Sequence, residues 1–260
     1  FQSGKTVVRP AVSQDCMPPR YHFNFDGGYP RRNRARMLVG DWPHQAPLQN
    51  STRVLALLKS HRPSISVAPN FGYGLCADKI TADQLEAAIT ERTRLLILNS
   101  PSNPTGASYS RAELSQLGAV IQRHPDIVVV SDDIYEHIHW GDEPFCSFAS
   151  ACPALLDRTV TTNGVSKAYA MTGWRIGYAG GPVEVIKAMK KIQSQSTSNP
   201  TSISQYAAEA ALNGPQDCIG EMLVEFKKRH DYVVDRLNGM PGIDCLKTDG
   251  TFYVFPSIKG

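Results

Sequence analysis

Three polar segments of this 260-residue sequence contain residue types that can do chemistry, and each directly follows a short apolar run. The segment 99–106 is rich in asparagine and proline, 131–135 contains two adjacent aspartates, and 163–167 ends in a lysine. An amine, a carboxylate and an amide can together bind a ligand and transfer protons. Each segment alone is better explained by a turn, a helix cap or a surface charge. Their chemistry therefore depends on a fold that brings the three segments together.

The apolar runs before these segments predict strands buried on both faces, at 95–98, 127–130 and 159–162. A fourth strand is predicted over 174–178. Capping boxes at Thr81 with Gln84 and at Ser110 with Glu113 predict helices that run to about residues 91 and 123. Strands that alternate with helices predict an α/β fold with a mostly parallel, doubly wound sheet between two helical layers. Because ligands bind at the carboxyl ends of parallel strands, we expect the three segments to converge at one sheet edge.

Three more helices and a last strand are predicted towards the carboxyl end of the sequence. One helix begins at Pro182 with Ile186, Met189 and Ile192 on one face, and another covers 203–212. A long amphipathic helix follows Pro215, carries Met222, Phe226, Val233 and Leu237, and is closed by Gly239. The last strand is predicted over 251–255.

The composition is typical of a soluble globular protein, with 42% hydrophobic and 20% charged residues and a net charge of +3. The apolar stretches are too short to span a membrane. The six cysteines have no metal-ligand spacing, so we expect reduced thiols in a cytoplasmic protein and no metal site. The basic run from Arg31 to Arg36 is a remote candidate for nucleic-acid contact, but the nearly neutral net charge favours no nucleic-acid partner.

The run NGVSKAYAMTGWRIGY at 163–178 resembles the Schiff-base segment of class I aminotransferases of fold type I. The segments 99–106 and 132–135 match two further signatures of that family in the same order. The resemblance extends from about Tyr73 to Gly260, and SQSTSNP at 194–200 is similar to the bacterial aspartate aminotransferase branch. It implies the cofactor pyridoxal 5'-phosphate and a homodimer.

The resemblance also implies roles for single residues. Lys167 would form the Schiff base with the cofactor aldehyde and then move the α-proton of the substrate. Asp132 would keep the pyridine nitrogen protonated, with Asp133 directed elsewhere. Tyr135 and Asn103 would share the cofactor's ring oxygen, and Asn103 would also approach the substrate.

Three of these roles have structural alternatives. Arg175 would contact the cofactor phosphate, where a guanidinium suits the geometry, or form a buried salt bridge. Ser166 would bond the phosphate or cap the turn. Tyr135 is otherwise a packed core tyrosine.

The expected reaction is transamination between L-aspartate and 2-oxoglutarate. An aromatic or prephenate aminotransferase is the alternative, and a carbon–sulfur lyase is disfavoured because Tyr135 differs from the residue that such relatives carry. The predicted domains are a cofactor-binding large domain over 71–222 and the truncated start of a small domain over 223–260. Residues 1–70 are unassigned, rich in Arg and Pro, and explained by out-of-frame translation, divergence or a foreign leader.

The family's glycine-rich phosphate loop and ring-stacking aromatic residue cannot be found upstream of Tyr73. Its carboxylate-binding arginine is expected beyond Gly260. A catalytically inactive fragment is therefore a further alternative.

Overall fold

The computed structural model describes residues 38–40, 64–67 and 79–258. The strands are β1 Leu38–Gly40, β2 Ser64–Val67, β3 Thr93–Asn99, β4 Val128–Asp132, β5 Thr159–Gly164, β6 Gly177–Gly180, β7 Ile243–Asp244 and β8 Ser257–Ile258. The α-helices are α1 Ala82–Ala88, α2 Arg111–Gln122, α3 Phe148–Ala151, α4 Val183–Ser196, α5 Ser202–Asn213 and α6 Asp217–Asn238. Short 3-10 helices lie at Pro153–Arg158 and Thr172–Trp174.

Six of the described strands form one sheet in the order β1-β6-β5-β4-β3-β2. Strands β2 to β5 are parallel, whereas β6 is antiparallel to β5 and β1 is antiparallel to β6. The connections from β3 to β4 and from β4 to β5 contain helices, as parallel crossovers require. The connection from β5 to β6 is short, so the chain returns antiparallel. The predicted mostly parallel α/β sheet is confirmed.

Neighbouring residues of β4 show why helices cover both faces of this sheet. Val129 packs with Leu96 and Leu98 into the large core cluster that includes side chains of α1, α2 and α3. Val130 points the opposite way and packs against a second cluster formed by Val160, Ala179 and Ile186 of α4. Because successive side chains of a strand alternate between faces, an uninterrupted apolar strand needs a helical layer on each side.

Both predicted capping boxes are formed. The Gln84 backbone N–H donates to the Thr81 hydroxyl over 3.2 Å, and the Thr81 N–H donates to the Gln84 side chain over 2.9 Å. Ser110 and Glu113 make the same reciprocal pair at the start of α2. The first helix ends at Ala88, earlier than the predicted residue 91, whereas α2 ends at Gln122 as expected.

Two predicted strands differ from the structure. The strand predicted over 174–178 begins only at Gly177, because Arg175 is in the left-handed region with a φ of 51°. No strand occupies 251–255; the chain turns at Thr251, whose φ is 64°, and only Ser257–Ile258 pairs, with Ile243–Asp244. In the first 70 residues, where no strand was predicted, β1 and β2 extend the sheet by pairing with β6 and β3.

The amphipathic faces of α4 and α6 were only partly predicted. Ile186 is buried, whereas Ile192 is 71% exposed. On α6 the residues that are buried in the middle of the helix are His230 and Val234, while the expected Val233 is exposed.

The segment 248–251 is tied by hydrogen bonds to the segment after β4 and to the loop after β3. The Trp140 N–H donates to the Asp249 carbonyl over 2.7 Å, and the Thr251 N–H donates to the Ile138 carbonyl over 2.8 Å. The Gly250 N–H donates to the Gly106 carbonyl over 3.1 Å. A distant part of the sequence is thereby fixed beside the loop that follows β3.

None of the helices in the described ranges combines the length and apolar character needed to cross a bilayer. Cys146, Cys152, Cys218 and Cys245 are free thiols. The described residues contain no His, Cys, Asp and Glu cluster suited to a metal ion. Cys16 and Cys76 lie outside the described residues.

We expect Ile121→Ala to lower the free energy of unfolding by about 2–5 kcal/mol, because Ile121 is fully buried in the large core cluster and its loss leaves a cavity. Val224→Ala, on an exposed position of α6, should change it by less than about 1 kcal/mol. Urea denaturation of both variants measures the difference. Equal effects would show that the α2 layer does not pack as described.

Candidate functional site

The three polar segments meet at the carboxyl ends of β3, β4 and β5. The parallel register places Asn99 beside Asp132 and Asp132 beside Thr162. The Asn99 side-chain amide donates to the Asp132 backbone carbonyl over 3.0 Å, which joins the first two strand ends. The predicted convergence is therefore present in the fold.

The loop after β3 is closed by its own hydrogen bonds. The Asn103 backbone N–H donates to the Asn99 side-chain oxygen over 2.7 Å, and the Gly106 N–H donates to the Ser102 carbonyl over 2.8 Å. Gly106 has a φ of 77°, and a Cβ there would lie 2.7 Å from the Gly250 carbonyl oxygen. Glycine is required at this position, and the loop holds Asn103 at the exposed side of the site.

Lys167 lies in the turn after β5, with its amine facing two aromatic rings. The Nζ atom is 5.6 Å from the centroid of the Tyr135 ring and 5.6 Å from that of Phe252. Burial lowers the pKa of Lys167, the nearby Arg175 cation lowers it further, and the Asp132 carboxylate opposes both. A lowered pKa leaves more of the amine unprotonated, as a nucleophile or proton acceptor requires.

Asp132 is the last residue of β4, and its partly buried carboxyl lies near enough to Lys167 for the charge of each group to affect the pKa of the other. Burial raises the pKa of Asp132 to about 6, against the opposing effects of the Ile134 N–H, the Thr162 hydroxyl and the Lys167 charge. The Ile134 N–H donates to its Oδ1 atom over 3.3 Å. This carboxyl has fewer stabilising partners than its burial demands, so a cation would bind favourably beside it.

Asp133 has a different environment although it is the next residue. It is buried, and its Oδ1 atom accepts a hydrogen bond of 2.6 Å from the Ser131 hydroxyl. Burial raises the pKa of Asp133 well above its usual range, and the charges of Glu136 and Asp132 add to that increase. The two aspartates thus have different environments, and of the two it is Asp132 whose charge raises the pKa of Lys167.

A largely buried carboxylate behind the site holds the start of the lysine segment. The Asn163 side-chain amide donates to Glu136 over 2.7 Å, and the Gly164 N–H donates to the Asn163 side-chain oxygen over 2.7 Å. The His137 ring nitrogen is 3.4 Å from the same Glu136 oxygen. Sequence reasoning missed Glu136. The signal that could have identified it is its place in the run 134–138, where a carboxylate stands among apolar and aromatic residues directly after a buried strand.

Tyr135 is buried, and its hydroxyl is 2.9 Å from the hydroxyl of Tyr253. The Asn103 side-chain amide donates to the Tyr253 hydroxyl over 3.4 Å. Asn103 also lowers the pKa of Tyr135 by hydrogen bonding. Burial raises the pKa of Tyr135 and the Tyr253 contact raises it further, so this phenol stays protonated. Sequence reasoning did not include Tyr253 or Phe252, which come from the other end of the described chain.

Arg175 and Ser166 flank Lys167 less directly. The Arg175 guanidinium donates to the Thr172 carbonyl over 2.8 Å. Its positive charge lowers the pKa of Lys167. Ser166 is partly buried in the turn beside Lys167, and its hydroxyl forms no hydrogen bond with the described residues. The structure therefore brings together Lys167, Asp132, Tyr135, Asn103 and Arg175, whereas Ser166 is near them only through the chain.

The sequence and the structure both match proteins of known family. The family described as aminotransferase class I and II matches residues 76–260. The aspartate/prephenate aminotransferase of Nitrosomonas europaea is 56% identical over 181 residues, which cover 70% of this chain and 46% of that protein. The corresponding protein of Cereibacter sphaeroides is 54% identical over 215 residues, which cover 83% of this chain and 53% of that protein. A match of that length must include part of the first 70 residues.

Solved structures agree with the sequence match. The aspartate aminotransferase from Rhizobium meliloti has a TM-score of 0.75 and 43% identity, over 85% of this chain and 59% of that one. The aromatic aminotransferase from Pyrococcus horikoshii has a TM-score of 0.66 and 38% identity, over 69% of this chain and 48% of that one. The chain spans about half the length of the curated relatives it matches. It belongs to the class I and II aminotransferases, a pyridoxal-phosphate-dependent family with the type I fold.

Proposed function

We propose that this chain is the cofactor-binding part of an enzyme that transfers an amino group between an amino acid and a 2-oxo acid. One observation carries the proposal: the Lys167 amine, the Asp132 carboxyl and the Tyr135 phenol lie together at one sheet edge. An amine, a carboxyl and a phenol are the groups that a pyridine aldehyde with a ring hydroxyl requires.

The chemistry of this donor set fits pyridoxal phosphate, which when bound supplies a ring that withdraws electrons from the α-carbon of the substrate. Asp132 would bind the ring nitrogen and hold a proton there. Its pKa of about 6 supports this role, because a cationic partner would offset the burial that raises the pKa.

Lys167 would attach the cofactor through a Schiff base and then move the proton at the α-carbon. Both tasks need the unprotonated amine, and burial together with Arg175 lowers the pKa of Lys167 in that direction. The Tyr135 and Phe252 rings beside Nζ restrict where the amine can go and reduce its contact with water.

The remaining residues would bind the cofactor and orient it towards the substrate. Tyr135 is protonated and can donate to the ring oxygen, with Asn103 sharing that oxygen and approaching the substrate. Arg175 would contact the phosphate from its place beside Lys167. For Ser166, a phosphate bond and a cap of the turn are both compatible with its position.

The substrates that we propose are L-aspartate and 2-oxoglutarate. The support is the naming of several relatives as aspartate aminotransferases. Prephenate or an aromatic amino acid is the second candidate, because two of the relatives are named aspartate/prephenate aminotransferase and one matched structure is an aromatic aminotransferase.

The proposed domains are a large domain over 71–222 and the start of a small domain over 223–260, connected within the continuous helix α6. We also propose a cytoplasmic homodimer without a nucleic-acid partner. Large exposed apolar side chains on the 3-10 helix, α4 and α5 support a subunit interface: Trp174, Ile192, Ile203 and Tyr206. The basic run from Arg31 to Arg36 lies outside the described residues.

Covalent labelling tests the proposal directly. With pyridoxal phosphate added, the chain should develop a near-visible absorbance band that borohydride abolishes, leaving the label on Lys167 by mass spectrometry of peptides. Lys167→Ala should lose both the band and the label. Lys191→Ala, at an exposed position of α4, should keep both. Label spread over surface lysines, or retained in Lys167→Ala, would contradict the proposal. A band without reaction with L-aspartate would indicate an inactive fragment.

The two adjacent aspartates provide a matched pair of variants. Asp132→Asn should slow the reaction of the bound cofactor with L-aspartate by roughly 10- to 150-fold, the effect of losing one charged hydrogen bond. Asp133→Asn should change that rate by less than about threefold, because an amide oxygen can still accept from Ser131. Stopped-flow absorbance gives both rates. A larger effect at Asp133 would reverse the assignment.

Asp132 should also lower the stability of the cofactor-free protein. The pKa of Asp132 in the folded chain, about 6, is above its ordinary value of 3.8. Its contribution to the free energy of unfolding is therefore most favourable below pH 4 and is lost as the pH rises through 6. Asp132→Asn should therefore be more stable than the parent at pH 7 by about 1–3 kcal/mol, with little difference at pH 4. Urea denaturation at both pH values measures this, and the exposed Asp142→Asn should show no such dependence. If Asp132→Asn and the parent differ in free energy of unfolding by the same amount at both pH values, the result would contradict the burial of Asp132.

A further inference from the structure

We infer that Tyr253 is a positioning residue: when the Tyr135 proton faces the cofactor's ring oxygen, the Tyr253 hydroxyl donates to the Tyr135 oxygen and holds the phenol in that orientation. The inference rests on the proposed role of Tyr135. The hydroxyl oxygens are 2.9 Å apart, which is hydrogen-bond distance.

In the cofactor-free chain either hydroxyl can be the donor, and the Tyr253 contact raises the pKa of Tyr135 there. The Asn103 side-chain nitrogen can only donate, and it donates to the Tyr253 oxygen over 3.4 Å. Once Tyr135 donates its own proton to the ring oxygen, the contact between the two hydroxyls can be kept only with Tyr253 as the donor. The three side chains then form one chain of donors that runs from Asn103 through Tyr253 to Tyr135. A phenol that accepts a hydrogen bond is itself a stronger donor.

The backbone before Tyr253 is fixed by hydrogen bonds to the segment after β4 and to the loop after β3. Thr251 is fully buried, its N–H donates to the Ile138 carbonyl, and its hydroxyl accepts from the Tyr253 N–H over 3.2 Å. Gly250 is bonded to the Gly106 carbonyl over 3.1 Å. The Tyr253 ring is thus held relative to both the Asn103 loop and the segment after β4 that carries Tyr135.

Aromatic packing surrounds the hydroxyl pair. The Tyr135 ring is 5.7 Å from Phe252 and 5.9 Å from Tyr253, in edge-to-face geometry, and Phe252 and Tyr253 are 4.8 Å apart. Because these contacts involve the rings, replacing Tyr253 by Phe should remove the hydroxyl and leave the packing intact.

The test is the pH at which the absorbance of the Lys167-linked cofactor changes. Tyr253→Phe should raise this midpoint by roughly 0.5–1 pH unit, the effect of one hydrogen bond, because a weaker Tyr135 donor stabilises negative charge on the ring oxygen less. Tyr232→Phe, which removes an exposed hydroxyl on α6, should leave it unchanged. A merely structural role would lower the melting temperature without moving the midpoint, and that result would overturn the inference.

A double-variant cycle shows whether the effect passes through Tyr135. In a Tyr135→Phe background, adding Tyr253→Phe should move the midpoint by less than about 0.2 pH unit, since the group that Tyr253 positions is gone. An undiminished shift would mean that Tyr253 acts on the cofactor by itself, contrary to the inference.

The hydroxyl contact can also be measured in the cofactor-free chain, independently of the proposed function. In protein containing 3-fluorotyrosine, the fluorine resonance that disappears in Tyr135→Phe should shift in Tyr253→Phe and stay in place in Tyr232→Phe. An unmoved resonance would overturn the inference even if the cofactor binds. A shifted resonance in a chain that forms no band on Lys167 would support the contact while rejecting the proposed function.

Discussion

The parallel register of β3, β4 and β5 is the constraint on which the site depends. It aligns Asn99, Asp132 and Thr162 at one level, so that the loops after the three strands leave the sheet side by side. Side chains alternate between the faces of a strand, and a shift of one residue would exchange the environments of Asp132 and Asp133. The first of these carboxyls acts on Lys167, whereas the second is bonded to Ser131 within the core. The environment of each aspartate thus depends on which residue of the pair ends the strand.

Much of this arrangement could be predicted from local sequence patterns. The capping boxes of α1 and α2 and the apolar runs of β3, β4 and β5 are short-range signals, because each depends on residues a few positions apart. With a parallel sheet assumed, the order of the polar segments then predicted that Lys167, Asp132 and Asn103 would converge. Arg175 was also placed near Lys167, although its left-handed backbone conformation interrupts the strand that was predicted there.

What could not be predicted depends on distant pairing. Strands β1 and β2 are three and four residues long and exist through their partners β6 and β3, so their own residues carry little signal. The contacts of Tyr253 with Tyr135 and Asn103 join residues that are 118 and 150 positions apart. The run 251–255 has the composition of a strand, but its docking by way of Thr251 prevailed over that local preference. Glu136 was missed because its partner, Asn163, lies on the next strand.

The docking of 248–251 has a consequence for the order of events in synthesis. Tyr253 and Phe252 complete the surroundings of Lys167 and Tyr135, yet they are made some 85 residues after the lysine. A nascent chain that has emerged as far as the end of α4 contains the sheet strands and the residues of both core clusters, but it lacks the rings of Phe252 and Tyr253 beside Lys167 and Tyr135. The aromatic surroundings of the Lys167 amine are therefore completed by a later-made segment than the sheet edge that carries it, and a chain that ends before Phe252 would present this lysine without the ring that lies 5.6 Å from its Nζ atom.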